Sequence, residues 1–201
     1  MVLENKLNIT NQVELARAEE KFSKQKAKKL FETGEIDRIE VGIFAGLAHI
    51  HRWLFEGVCD FAGQIRQVNI AKGYFRFAPL MHLTSSLQYI DAMPHTSFDE
   101  IVEKYVEMNI AHPFREGSGR ATRIWLDCML KSQIQKVVDW NLVDKEAYLS
   151  AMQRSVVKDV EIKHLLQSAL TDKIHDREIF MKGIDVSYFY EGYTEFRTED
   201  L

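Results

Sequence analysis

Between His112 and Arg123 the chain gathers the parts of a phosphate-handling site, in the run His112-Pro-Phe-Arg-Glu116-Gly117-Ser118-Gly119-Arg120-Ala-Thr-Arg123. Gly117 and Gly119 let the backbone turn sharply and aim its amides inward, just ahead of a helix N-terminus. Amides and helix dipole together make an anion cradle. Arg120 and Arg123 stand three apart on the first turn of that helix, close enough for both to clamp a polyphosphate. Glu116 is the only carboxylate of the loop and can ligate a divalent cation already held by phosphate oxygens. His112 closes the preceding helix and can act as a base near neutral pH. Taken singly, each has a plainer reading: a hydrogen-bonded helix terminus, a turn, two solvated arginines. Their concentration in one short run favours chemistry. The run is neither Gly-x-x-x-x-Gly-Lys-[Ser/Thr] nor a dinucleotide fingerprint, which needs a preceding strand.

The elements that must hold this loop are helical. Apolar periodicity predicts a helix from Val13 to Phe31 stopped by Gly34, with its lysines and glutamates on a solvated face. Asp37-Arg-Ile-Glu40 reads as a capping box opening the next helix, with Val41, Phe44, Leu47, Ala48 and Leu54 as its stripe. His49 and His51 are two apart and face different sides, so they take polar or packing roles, not joint metal ligation. Gln67 to Ala78 alternates around Lys72-Gly73 and reads as a small β-hairpin closed by Pro79. Ser97-Phe-Asp-Glu100 is a second capping box, and Pro113 ends that helix near Ala111-His112. The helix from Ala121 to about Ile134 is apolar on most faces and should be central. Further helices are expected at roughly 144–154, 158–170 and 176–191, the last ending at Gly192.

With 201 residues, 46% hydrophobic and 28% charged, the chain is globular. The net charge of −4 argues against direct nucleic-acid binding. Cys59 and Cys128 lie among apolar neighbours and read as buried free thiols of a reducing compartment. No apolar run nears the ~20 residues of a membrane span, and the N-terminus lacks a secretory pattern. A cytoplasmic, membrane-free protein is expected.

The motif His112-x-Phe114-x-Glu116-Gly117-Ser118-Gly119-Arg120-x-x-Arg123 resembles the Fic motif, His-x-Phe-x-(Asp/Glu)-Gly-Asn-Gly-Arg-x-x-Arg, at seven of its eight defined positions. The departure is Ser118, where the motif has Asn. The hairpin residues Lys72, Gly73, Tyr74, Phe75, Arg76 and Phe77 resemble the family's flap. Ser187-Tyr-Phe-Tyr-Glu191-Gly192 resembles the inhibitory motif (Ser/Thr)-x-x-x-Glu-(Gly/Asn), which points to class III, the small Fic proteins with a C-terminal inhibitory helix.

The resemblance implies an all-α Fic fold, a bundle of about eight helices with one hairpin. Residues 1–201 would form a single Fic domain, with 176–192 as its autoinhibitory helix. It implies transfer of AMP from Mg²⁺-ATP to a hydroxyl of a target protein, and to the enzyme itself. His112 would be the base and Glu116 the Mg²⁺ ligand. Gly117, Ser118, Gly119, Arg120 and Arg123 would bind phosphate, and Phe114 would anchor the loop. Serine keeps one hydroxyl donor on a shorter stem than asparagine; outright loss of such a donor costs on the order of 10²–10³ in rate, and a partial replacement less. Ser187, Glu191 and Gly192 would form the inhibitory element, with Glu191 pairing Arg123. Once that helix loosens, Tyr188 is the expected site of self-modification. The flap would clamp an extended target segment as an added strand. Analogy with class III proteins names gyrase or topoisomerase IV as target. A homo-oligomer stays open. The alternatives are AMP removal, phosphate transfer, or a non-catalytic scaffold with Ser118 as its degenerate step.

Overall fold

A computed structural model describes residues 2–73 and 75–201. Tyr74, one of the flap residues named from the sequence, lies outside them. Eight α-helices occur among the described residues: α1 (Gln12–Glu32), α2 (Phe44–Phe55), α3 (Leu80–Ala92), α4 (Phe98–Ala111), α5 (Ser118–Ile134), α6 (Lys145–Arg154), α7 (Val160–Ser168) and α8 (Arg177–Tyr190). The hairpin pairs β1 (Ala71–Lys72) with β2 (Phe75–Arg76), Ala71 facing Arg76 and Lys72 facing Phe75. A second antiparallel pair, β3 (Val137–Val138) with β4 (Leu170–Thr171), was not anticipated.

Local signals place most of these elements. Asn11 caps α1 by accepting from the amides of Val13 and Glu14, and Gly34 at φ +71° follows its end. The Ser97–Glu100 capping box forms, with Ser97 N donating to Glu100 Oε2 at 3.1 Å. Asp144 and Asp176 cap α6 and α8. α5 is buried on most faces and packs against α2, α4 and α8, the central position its composition requires. Cys59 and Cys128 are buried and free.

The Asp37–Glu40 capping box does not form. Glu35–Arg38 is a 3₁₀ turn, and α2 starts only at Phe44, whose amide donates to Asp91 Oδ1 of α3 at 2.7 Å. The intervening chain turns at Gly42, φ +78°, and folds back so closely that a Cβ on Gly46 would lie 1.8 Å from the Glu40 carbonyl. The cap is thus supplied across space by another helix. α3 itself carries a stripe of Leu83, Leu87 and Ile90 on its buried side.

The face of α1 read as solvated is also not so. Glu19, Glu20 and Lys24 are buried beneath the segment that follows α8. Lys24 pairs with Glu20 and with Asp185, each at 3.0 Å, and donates to the Phe196 carbonyl. The carboxylate of Glu20 accepts from the amides of Glu195 and Phe196. These charges are tolerated inside because each is met by an opposite charge or a backbone dipole.

Candidate active site

The loop is pinned before it does anything else. α4 ends at His112 in the left-handed region, φ +47°. Phe114 is fully buried, its ring stacked on His51 at 3.9 Å and on Phe44 at 5.9 Å. His51 accepts the Gly63 amide at Nδ1, so its Nε2–H donates to the Glu116 carbonyl at 2.8 Å. Burial, and next the nearby Arg120 charge, hold this imidazole neutral, with a pKa down at about 3. His51 therefore takes the polar packing role expected of it.

Gly117, at φ +74°, is the N-cap of α5 and presses against the Phe55 ring, where a Cβ would come within 2.6 Å. No side chain caps this end, so the first-turn amides of α5 have no intrahelical partner and stay available to an acceptor. The helix begins at Ser118, three residues earlier than Ala121.

His112 is half-buried, its ring stacked on Phe77 of the flap at 3.8 Å. Its Nδ1 is buried with no hydrogen-bond partner. Burial, helped by Lys72 and Arg66 and opposed by Glu191, lowers its pKa to about 4, so the ring is neutral across the physiological range. Arg66, itself buried, ties this corner together entirely through backbone carbonyls. It donates to His112 O at 2.9 Å, to Ala111 O at 3.2 Å, and to Val68 O and Ala78 O at the feet of the hairpin.

The two motif arginines differ. Arg120 is wholly enclosed, with Nη1 on Glu19 at 2.7 Å and Nη2 on Glu116 at 3.1 Å. Arg123 donates through Nε to Ser187 Oγ at 2.6 Å, and through Nη2 to Ser187 O at 3.0 Å and Glu191 Oε1 at 2.9 Å. Glu191 caps the C-terminus of α8, and Gly192 follows at φ +92°. Burial alone would raise the Glu191 pKa, but Arg123, then Arg120 and Lys72, bring it down to about 2. This ionised carboxylate rests on the loop: a Cβ on Gly119 would lie 2.5 Å from Glu191 Oε1. Lys72 of the flap approaches the other oxygen at 3.7 Å.

The Fic/DOC family profile matches residues 44–130. "Probable protein adenylyltransferase Fic" of Salmonella typhimurium is 30% identical over 186 residues, 85% of this chain and 88% of that protein. The chain belongs to the Fic/DOC family. The protein of the same name from Escherichia coli is 29% identical, covering 88% of this chain and 91% of its own. The solved structure of BepC from Bartonella tribocorum with bound AMPPNP has the same fold, with a TM-score of 0.69 at 19% identity, covering 85% of this chain and 93% of that one.

Within this Fic fold Ser118 has a definite job. Its hydroxyl accepts the Phe114 amide at 3.0 Å and donates to the Phe114 carbonyl at 3.2 Å, so its one proton is spent closing the loop. What Ser118 presents at the helix N-terminus is its backbone amide. Ser118→Ala should leave the buried Phe114 amide unpartnered and cost about 1–3 kcal/mol, read as a lowered urea midpoint; an unchanged midpoint would remove this role. Tyr188 is buried, its ring between Lys24 and Arg120, and its unpartnered hydroxyl is inaccessible while α8 stays docked. Sequence reading missed Arg66 and Glu19. Nothing in their neighbourhoods signals the loop, since both reach it across the fold.

Proposed function

We propose that this Fic protein is a protein adenylyltransferase held inactive by its own α8. The observation that carries the reading is the pairing of a helix start that no side chain caps with a neutral, half-buried histidine at the other end of the same loop. The names of its relatives, protein adenylyltransferases, support it. In the reaction, His112 takes the proton from the target hydroxyl as that oxygen bonds to the α-phosphorus of ATP. The bond from the α-phosphorus to the bridging oxygen breaks, and pyrophosphate leaves. The first-turn amides of α5 hold phosphate oxygens and stabilise the charge that builds there. Arg123, once released from Glu191, is the arginine free to meet the γ-phosphate. The flap, pinned to His112 through Phe77, would hold the target backbone.

The donor set suits Mg²⁺. Among the described residues no three His, Cys, Asp or Glu groups gather into a metal cluster, and Glu116 is a half-buried, lone loop carboxylate. Mg²⁺ is commonly held by one or two carboxylates plus substrate phosphates and water. Glu116 would hold it, and the ion would supply charge neutralisation on the polyphosphate.

Inhibition follows from the position of Glu191. Its carboxylate occupies the phosphate end of the loop and its bond to Arg123 removes a ligand. Two buried thiols fit a reducing compartment, so we place the enzyme in the cytoplasm. No helix among the described residues is long and apolar enough to cross a membrane. The test is labelled ATP with the Glu191→Gly variant. AMP transfer leaves the α-label on protein and the γ-label in pyrophosphate. Retention of the γ-label would mean phosphate transfer, and label from neither would exclude both transfers and leave AMP removal or a scaffold.

A further inference from the structure

Glu19 lies on α1, 101 residues from Arg120 in sequence, yet its Oε1 accepts from Arg120 Nη1 at 2.7 Å. The guanidinium is covered by the rings of Phe55 at 4.9 Å, Tyr188 at 5.1 Å and Tyr193 at 4.6 Å. A phosphate could reach it only by dismantling those contacts. What Arg120 does touch is Glu116, through Nη2 at 3.1 Å.

We infer that Glu19 is a positioning residue for transfer: by matching the charge of Arg120 it leaves the charge of Glu116 available to an incoming Mg²⁺. The inference rests on the reading of Glu116 given above. One guanidinium stands between two carboxylates, so the triad carries one net negative charge. The Glu19 side chain is 5% exposed and that of Glu116 is 44% exposed. The buried carboxylate must be matched by the buried cation, since alone there it would be costly to ionise. The spare negative charge therefore sits on the exposed member, at the mouth of the loop. Tyr193 Oη donates to the same Glu19 oxygen at 3.0 Å, fixing it on the far side. Without the charge of Glu19, the whole charge of Arg120 falls on Glu116. That weakens Glu116 as a cation ligand by about tenfold, the scale of one added unit charge in partial contact with solvent.

The test uses binding, not turnover. In a Glu191→Gly, His112→Ala background, ATP affinity is measured by calorimetry in EDTA and in excess Mg²⁺. Glu19→Gln should reduce the Mg²⁺-dependent gain in affinity about tenfold and leave the EDTA value within about threefold. The double change Glu19→Gln, Arg120→Gln leaves no unpaired buried charge, so it should keep the gain even if the single variant folds poorly. A full Mg²⁺ gain in Glu19→Gln overturns the inference. So does an equal loss with and without Mg²⁺, which is a structural effect alone, or loss of the gain in the double variant. If the background itself shows no Mg²⁺ gain, the reading of Glu116 fails, and this inference with it.

Discussion

Glu191→Gly is expected to tighten ATP binding at least tenfold. The substitution removes an ionised carboxylate from the phosphate end of the loop, where it lies 2.9 Å from Arg123 Nη2. It also frees one N–H of that nitrogen for phosphate, the other staying on the Ser187 carbonyl. Ser187 keeps its bond to Arg123 Nε, so the arginine stays aimed at the loop. A charge-assisted arginine contact contributes about 1.5–3 kcal/mol, and every 1.4 kcal/mol is a factor of ten. Calorimetric titration with Mg²⁺-ATP reads the change. Equal affinities for wild type and variant would mean that Glu191 does not occupy the nucleotide's place.

His112→Ala in the same Glu191→Gly background should lower AMP transfer by about 10²–10⁴ while ATP affinity stays within about threefold. The imidazole is a proton acceptor, and no phosphate ligand is lost with it. The pH dependence follows from its surroundings. Burial disfavours the charged ring and sets the pKa at about 4 with Glu191 present, below the usual 6.5, and loss of the Glu191 charge moves it further down. The neutral, base-competent form therefore persists as pH falls through 6.5, and is lost only at about pH 4 or below. The rate should stay near its plateau at pH 6 and fall in more acidic solution. A limb centred at 6.5 would show that the ring is solvated when it works. An undiminished rate in His112→Ala would remove it from the reaction.

The candidate loop was legible because it is local. Glycines, arginines, a carboxylate and a histidine sit in one run, and the helices on either side are announced by Ser97, Glu100 and Pro113. The second layer was not. Glu19, Glu20 and Lys24 have the spacing of an ordinary polar helix face, and only the segment after α8 turns that face inward. Arg66 recognises backbone carbonyls, which every residue possesses, so no partner residue in the sequence betrays it. The false start at Asp37 has a similar cause. A local capping pattern was available, but Gly42 and Gly46 let the chain double back, and Asp91 caps α2 from a distant helix. α3 was hidden behind the hairpin and Pro79. Local grammar fixes where helices can begin; which ends are used is decided by contacts far apart in sequence.

Self-modification joins both halves of the account, transfer by the loop and restraint by α8. Loosening α8 would uncover Tyr188, whose hydroxyl is buried beside Arg120 in the docked state. The direct measurement is intact mass and peptide mapping after incubation with Mg²⁺-ATP, wild type beside Glu191→Gly. An AMP-sized gain is expected on the variant, carried by the peptide holding Tyr188, and little on wild type. Wild type gaining AMP as readily as the variant would contradict it.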